Sequence, residues 1–425
     1  MSVAQTSSAF LMGGVALAAV PASAQAPVPA QPAFALSPGE RNALAPVSQA
    51  VAARNWPAAL SSLATAQNAA QTQNGRYALG RLQLDIGVGT ANRQLQAAAI
   101  DTILGSGVAP PQEQALLYRH QAGLAFEAGN FERAEQALTR MIQVSPNDPE
   151  ALAGLALVSR SRNNVPQSVN YLVRSLDASE ATGRQAPESR YKLALATALN
   201  ARLRTPGADL ARRLVAFYPS NINWRDALLA YRELVNGIPP LPGAAPVAGA
   251  ASTDPVVVLE TMRLMRATGA LAGERDYLSM AQALNAAGLP GEAKAVLDEG
   301  VERGMLAATD AAVRAAITST NTRAASDRTA LAGRVTQARA AAAARPARVA
   351  GDGLYGFGRY AEAAELYRLA LTKTGEDANL LNLRLGSALA LAGQSAEAEA
   401  ALQAVTGERA ELARFWLTWL ARRTA

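Results

Sequence analysis

The sequence predicts an all-α protein, an α-solenoid built from stacked antiparallel helix pairs. Three observations lead there. Side-chain size and polarity recur at intervals of about 34 residues, the period of two-helix repeats. No segment shows the alternating β-branched and aromatic pattern of a strand. Alanine, leucine, arginine and glutamate, all good helix formers, dominate both halves of the chain.

The first 24 residues read as a secretory signal peptide. Phe10 to Val20 (FLMGGVALAAV) is apolar but too short to cross a bilayer as a helix, and Ala22-Ser23-Ala24 is a small-residue cleavage site. No lysine or arginine precedes Phe10, so either the signal is atypical or the start lies upstream. Cleavage after Ala24 places the mature chain in the periplasm or outside the cell. Residues 25–38 (QAPVPAQPAFALSP) form a Pro/Ala-rich linker, and 238–253, inside the stretch IPPLPGAAPVAGAASTDP, form a second. They divide the chain into an N-terminal helical array, 39–237, and a C-terminal array, 254–425, that ends in a capping helix. No segment is long and apolar enough to span a membrane.

The repeat is most legible at Tyr118–Pro146 (YRHQAGLAFEAGNFERAEQALTRMIQVSP). Two helices of about a dozen residues flank Gly129-Asn130, and Ala122 and Ala134 sit where they would cross. An offset of 34 residues carries Tyr118 to Leu152, Ala122 to Ala156, Ala134 to Ser168 and Leu138 to Leu172. Ala43 begins an earlier unit with Trp56 in its turn and Ala59 at the crossing, and Tyr77 begins the next. Tyr191 opens a looser unit, and Trp224 opens a helix whose mate is Val256–Ala267. Tyr277, Ala347 and Asn382 begin units with Gly288, Gly358 and Gly393 at their turns and Ala293, Ala363 and Ala398 at their crossings. Between them, Ala308–Ala344 leaves space for one degenerate pair, and Trp416 lies in a final helix, Glu408–Arg423.

This pattern resembles the tetratricopeptide repeat (TPR) family, with an aromatic or large residue at position 4, small residues at 8 and 20, a turn near 15 and proline at 32. The resemblance covers nearly all of residues 39–424. It implies a scaffold that binds protein segments in a groove lined by helix A positions 2, 5, 9, 12 and 13. In this frame those positions include Arg119, Phe126, Arg160, Lys192, Asn200, Arg225, Arg232, Arg348 and Tyr355. Their basic and aromatic character suits an extended, partly acidic peptide.

Composition narrows the chemistry. There is no cysteine and one histidine, His120, so thiolate zinc sites, iron–sulfur clusters, disulfides and two-histidine metal sites are excluded within one chain. The net charge of +6 is mild, and 37 of the 40 basic residues are arginine. That excess does not predict nucleic-acid binding. Gly351-Asp-Gly353-Leu-Tyr-Gly356 matches GxGxxG, but no strand precedes it, so packing accounts for it better than a dinucleotide. No catalytic, metal or cofactor residues are predicted. Arg323, Arg334 and Arg345 repeat every eleven residues within 321–349, which reads as a solvated arginine face on one helix. Phe415, Trp416 and Trp419 cluster in the last helix, with Trp416 expected in the cap and Trp419 the better candidate for an exposed contact.

The sequence thus favours a non-enzymatic scaffold or adaptor of the bacterial cell envelope. Two other readings stay open at this level: an envelope enzyme with a helical superhelix, such as a murein lyase, and a cytoplasmic scaffold if the N-terminus is not a signal.

Overall fold

The computed structural model describes residues 35–236 and 254–424. The expected signal peptide and linker 238–253 lie outside the described residues, as does most of linker 25–38, whose last residue opens the first helix. The described residues hold twenty α-helices, one short 3-10 turn and no strand. They gather into two compact units, one up to Pro110 and one from Pro111.

The first unit contains α1 (Pro38–Ala52), α2 (Trp56–Ala69), α3 (Gln73–Gly89) and α4 (Arg93–Gly105). Helices α1 and α2 pair, and so do α3 and α4. A Cβ on Gly80 would come within 2.6 Å of the Ile103 side chain, so the second pair is held at a distance only glycine permits. Glu40 ties the pairs together. It forms a capping box with Ser37, and its Oε1 accepts from the Thr72 amide at 2.9 Å and the Thr72 hydroxyl at 2.8 Å. These bonds, the Thr72 amide first and the Ser37 amide next, lower the Glu40 carboxyl to about 2.

The second unit runs through α5 (Pro111–Glu127), α6 (Phe131–Val144), α7 (Pro149–Ser161), α8 (Val165–Ala181), α9 (Glu188–Asn200), α10 (Arg204–Phe217) and α11 (Asn221–Asn236). It continues with α12 (Pro255–Ala267), α13 (Gly273–Ala286), α14 (Pro290–Glu302), α15 (Ala311–Ala340) and α16 (Ala344–Gly356). Helices α17 (Tyr360–Leu371), α18 (Ala378–Leu391), α19 (Ser395–Gln403) and α20 (Ala410–Thr424) complete it. Each helix packs chiefly on its neighbours in sequence, the arrangement expected of an α-solenoid.

The expected crossing residues lie at the crossings. Ala122, Ala134, Ala156, Ala293, Ala363 and Ala398 are buried, and the Ser168 hydroxyl donates to the Ala156 carbonyl across one of them at 2.8 Å. The tight turns need a left-handed residue, which Gly129, Gly288, Gly358 and Gly393 supply at φ of 68–80°. Where a pair lacks glycine there, Arg54, Ala91, Asn163 and Arg202 take φ of 53–58° instead.

The GxGxxG residues are all within α16. A Cβ on Gly351 would meet the Tyr367 ring at 2.9 Å, one on Gly353 would meet Leu331 at 3.0 Å, and one on Gly356 would meet the Glu292 amide nitrogen at 2.9 Å. Three neighbouring helices, α17, α15 and α14, therefore approach α16 closely through its glycines.

Two expectations are corrected here. Residues 308–344 do not form a degenerate pair: α15 is one helix of thirty residues. Its alanine-rich sequence has no proline and only Gly333 to interrupt it, so nothing local breaks it. The arginine run of 321–349 is accordingly divided, with Arg323 and Arg334 on α15 and Arg345 on α16. Trp419 is not an exposed contact. It is 9% exposed, packed edge-on against the fully buried Trp416 at 5.3 Å and covered by Arg423.

The last helix does more than cap its neighbour α19. It also packs on α10, α12 and α18. Phe415 reaches the rings of Tyr231 at 5.5 Å and Trp224 at 6.3 Å, both on α11. The Arg422 guanidinium donates to the Ala216 carbonyl on α10. Helices α10 to α20 are thereby closed upon one another.

Two outcomes are expected. Ala363→Leu should destabilise by about 1–3 kcal/mol, the usual cost of overpacking, while the exposed Ala361→Leu stays near wild type in thermal melting. Glu40 binds its proton more weakly folded than unfolded, so its stabilisation is complete above pH ~4.5 and lost as pH falls through about 2. Urea midpoints read by fluorine NMR at fluorotryptophan-labelled Trp56 should drop across that window in wild type and stay flatter in Glu40→Gln.

Candidate functional site

The most concentrated polar chemistry in the second unit lies inside it. Helices α12 and α18 are among its most apolar, yet each carries charges in the middle of its run: Glu260 and Arg263 in VVVLETMRLM, and Arg384 in LLNLRLGSAL. All three are buried. A buried charge survives only when it is paired and hydrogen-bonded, and here acids and bases alternate through four helices.

The series begins at Glu292 on α14. Arg263 donates to it in two-pronged fashion, at 3.0 Å from Nε and 2.5 Å from Nη2. Arg263 also donates to Glu260 at 3.0 Å, and the same Glu260 oxygen accepts from Arg384 Nε at 2.9 Å. Arg384 Nη1 spans both oxygens of Asp352 at 2.9 and 2.8 Å. Asp352 accepts from Arg348 at 2.9 Å, and Arg348 pairs with Glu376 at 2.9 Å. Side-chain exposure rises from 0% at Glu260 to 20% at Arg348, so the series is dry at its centre and wetter at one end.

Tyrosines complete the shell. The Tyr367 hydroxyl donates to Asp352 at 2.8 Å, and the Arg263 guanidinium lies 4.4 Å from the Tyr355 ring centroid. Burial opposes ionisation of Glu260, but Arg263 and Arg384 outweigh it and hold the carboxyl below the ordinary range. Burial likewise opposes the charge on Arg263 and is outweighed by Glu292 and Glu260. Burial and Asp352 push the Tyr367 hydroxyl far above its usual value. The central groups are thus paired and shielded from water, which makes the network a joint between helices.

The nine residues of the expected groove divide into two sets. Arg119, Phe126, Arg160, Lys192 and Asn200 lie on α5, α7 and α9, the first helices of three successive pairs. Phe126 is half-buried and the other four are exposed. Arg119 reaches Asp148 at 2.9 Å, and Lys192 reaches Glu188 on its own helix at 2.8 Å. Of the remaining four, Arg225, Arg348 and Tyr355 are engaged within the protein. Arg225 on α11 is paired with Asp276 of α13. Arg232, half-buried on α11, feels burial first and the charges of Arg225 and Arg275 besides, which lower its pKa despite Asp276. Arg348 belongs to the network, and Tyr355 is 4% exposed beneath Arg263.

Sequence reasoning missed Glu260, Arg263, Glu292 and Arg384. The signal was present, since a charge in the middle of an apolar helix must either break its apolar face or find a buried partner. His120 is half-buried on α5, away from this network in the fold. Among the described residues, no cluster of acids and histidine could hold a metal ion, and no helix is long and apolar enough to cross a membrane.

Removing one member of the central pair should cost about 3–5 kcal/mol, because the other is left buried and uncompensated. The double change Glu260→Leu with Arg384→Met should cost less than either Glu260→Leu or Arg384→Met alone. It leaves two matched pairs, Glu292 with Arg263 and Asp352 with Arg348. A thermodynamic cycle from denaturant melts checks this ordering.

No family model and no curated relative matches this chain. Among solved structures, a structure of Naa15/Naa10 bound to HypK-THB is similar at 14% identity and a TM-score of 0.29, over 86% of this chain and 63% of that one. So slight a likeness carries no argument. The helices themselves place the chain among all-α helical-repeat proteins.

Proposed function

We propose that this protein is a non-catalytic scaffold that binds a protein segment in the bacterial cell envelope. One observation carries the reading. Positions 5 and 12 of the repeat, paired or at least half-buried on α11 and α16, keep three cations at the surface on α5, α7 and α9. Arg119 and Lys192 hold position 5, and Arg160 holds position 12, the place of the half-buried Phe126 in the pair before. A series of like positions on stacked pairs is a surface suited to an extended chain. Three cations with Phe126 among them favour a segment that carries carboxylates. The interior network supports the non-catalytic part, since its central acids and bases are paired and dry. The apolar run Phe10–Val20 followed by Ala22-Ser23-Ala24 supports export to the periplasm.

Protein captured from envelope extract by the native chain, after cross-linking at Phe126, should fall at least about tenfold when Arg160→Glu and Lys192→Glu are combined. Arg184→Glu, an exposed change in the turn after α8, should leave capture unchanged. Helix content should be the same in both. The recovered native chain should begin at Gln25. Equal loss in the Arg184→Glu control, or intact Met1 on the captured protein, would contradict the reading.

A further inference from the structure

One cation of the second unit has no match within the protein. Arg232, half-buried on α11, makes no hydrogen bond, ion pair or ring contact. Among the described residues it is the only arginine that is neither exposed nor partnered. Taking a charge out of water without a partner is unfavourable. At Arg213, Arg263 and Arg384 burial also opposes the charge, but neighbouring carboxylates outweigh it. At Arg232 burial prevails over Asp276, and the cations Arg225 and Arg275 add to it.

The acid within reach is already committed. Arg225 donates to both oxygens of Asp276 on α13, and Asp276 also accepts from the Ala272 amide at 3.0 Å. The Asp276 side chain is only 15% exposed, so these contacts hold it on Arg225. Arg225 and Arg232 lie seven residues apart, about two turns along one face of α11. Arg275 precedes Asp276 in the first turn of α13. Asp276 and, more weakly, the exposed Asp226 act on Arg225, but Asp276 is the single acid that acts on Arg232. Three guanidiniums against one carboxylate leave a local balance of +2. Residues 237–253, between α11 and α12, contain no acid that could supply the missing charge.

We propose that Arg232, with Arg225 and Arg275 beside it, binds the dianion of a phosphate group, either free or at the end of a lipid headgroup. The site is separate from the cations of α5, α7 and α9 and goes beyond the scaffold reading. Charge selects the ligand. A phosphate monoester carries about −1.5 to −2 near neutral pH, on one group with three acceptor oxygens. That matches both the local balance and the forked donors of the two unpaired guanidiniums. A single carboxylate would leave one cation over.

The test titrates inorganic phosphate into the full chain by calorimetry, with chloride holding the ionic strength constant. Phosphate should bind, and acetate and succinate should bind at least about tenfold more weakly. Phosphate binding should weaken at least about tenfold in Arg232→Gln and in Arg275→Gln, and stay unchanged in Arg184→Gln, whose arginine is exposed after α8. Because Arg232 is unmatched, Arg232→Gln should melt no lower than wild type in chloride, which separates loss of ligand from loss of fold. Phosphate should also slow phenylglyoxal labelling of Arg232 while leaving that of the exposed Arg160 as before.

Flotation with phosphatidylcholine vesicles containing phosphatidic acid distinguishes the two sources. Flotation that Arg232→Gln abolishes places the phosphate on a lipid; calorimetric binding without flotation places it on a free phosphate. Neither binding nor flotation in wild type, or either one surviving Arg232→Gln unchanged, would overturn the proposal. Equal binding of acetate or succinate would do so too. A clear fall in the melting point of Arg232→Gln would reveal a partner for Arg232 already inside the fold, and would also overturn it.

Discussion

Glu260 is the side chain on which the second unit most depends. It accepts from Arg263, one turn along its own helix, and from Arg384, 124 residues further along the chain. A carboxylate this deeply buried is tolerable only between two such cations. Everything that brings α18 against α12 is therefore also what keeps Glu260 charged. The returning helix α20 adds the apolar half of the same closure, laying Phe415 against Tyr231 and Trp224. Ionic and apolar contacts that are distant in sequence thus fix how far α10 to α20 curl, while contacts between sequence neighbours would leave the curl adjustable.

The consequence for function is a redistribution of surface. Arg348 and Tyr355 occupy repeat positions that the resemblance assigns to a peptide, but here they serve the interior. The cations that the closure leaves exposed on the first helices of the three pairs α5 to α10, Arg119, Arg160 and Lys192, are dispersed and have local acidic neighbours, such as Glu188 beside Lys192.

Much of this fold was legible in the sequence because its constraints are local. Alanine at a crossing and glycine at a turn are demanded by one helix pair, whatever the remainder of the chain does, and Ala363 with Gly358 illustrates both. Trp416 in the cap was legible for the same reason. The network was not. Its ion-pair partners are separated by 28 to 124 residues, apart from the pairs within α12 and α16, and a repeat frame assigns each residue a role from its own unit alone. The frame therefore placed Arg348 on an open groove. The single helix α15 escaped for a different reason. Its buried stripe of valine, threonine, alanine and leucine contrasts little with an exposed stripe of alanine, serine and threonine, so polarity hardly marks which side packs.

The central claim is that the inner face of α12 to α18 is sealed by paired charges. Arginine footprinting with phenylglyoxal, read residue by residue by mass spectrometry on the folded chain, tests it most directly. Arg263 and Arg384 should remain unmodified under conditions that label the exposed Arg160, Arg339 and Arg345. Modification of Arg263 and Arg384 at rates like those of the exposed arginines, with the protein still folded, would show an open inner face and contradict the account.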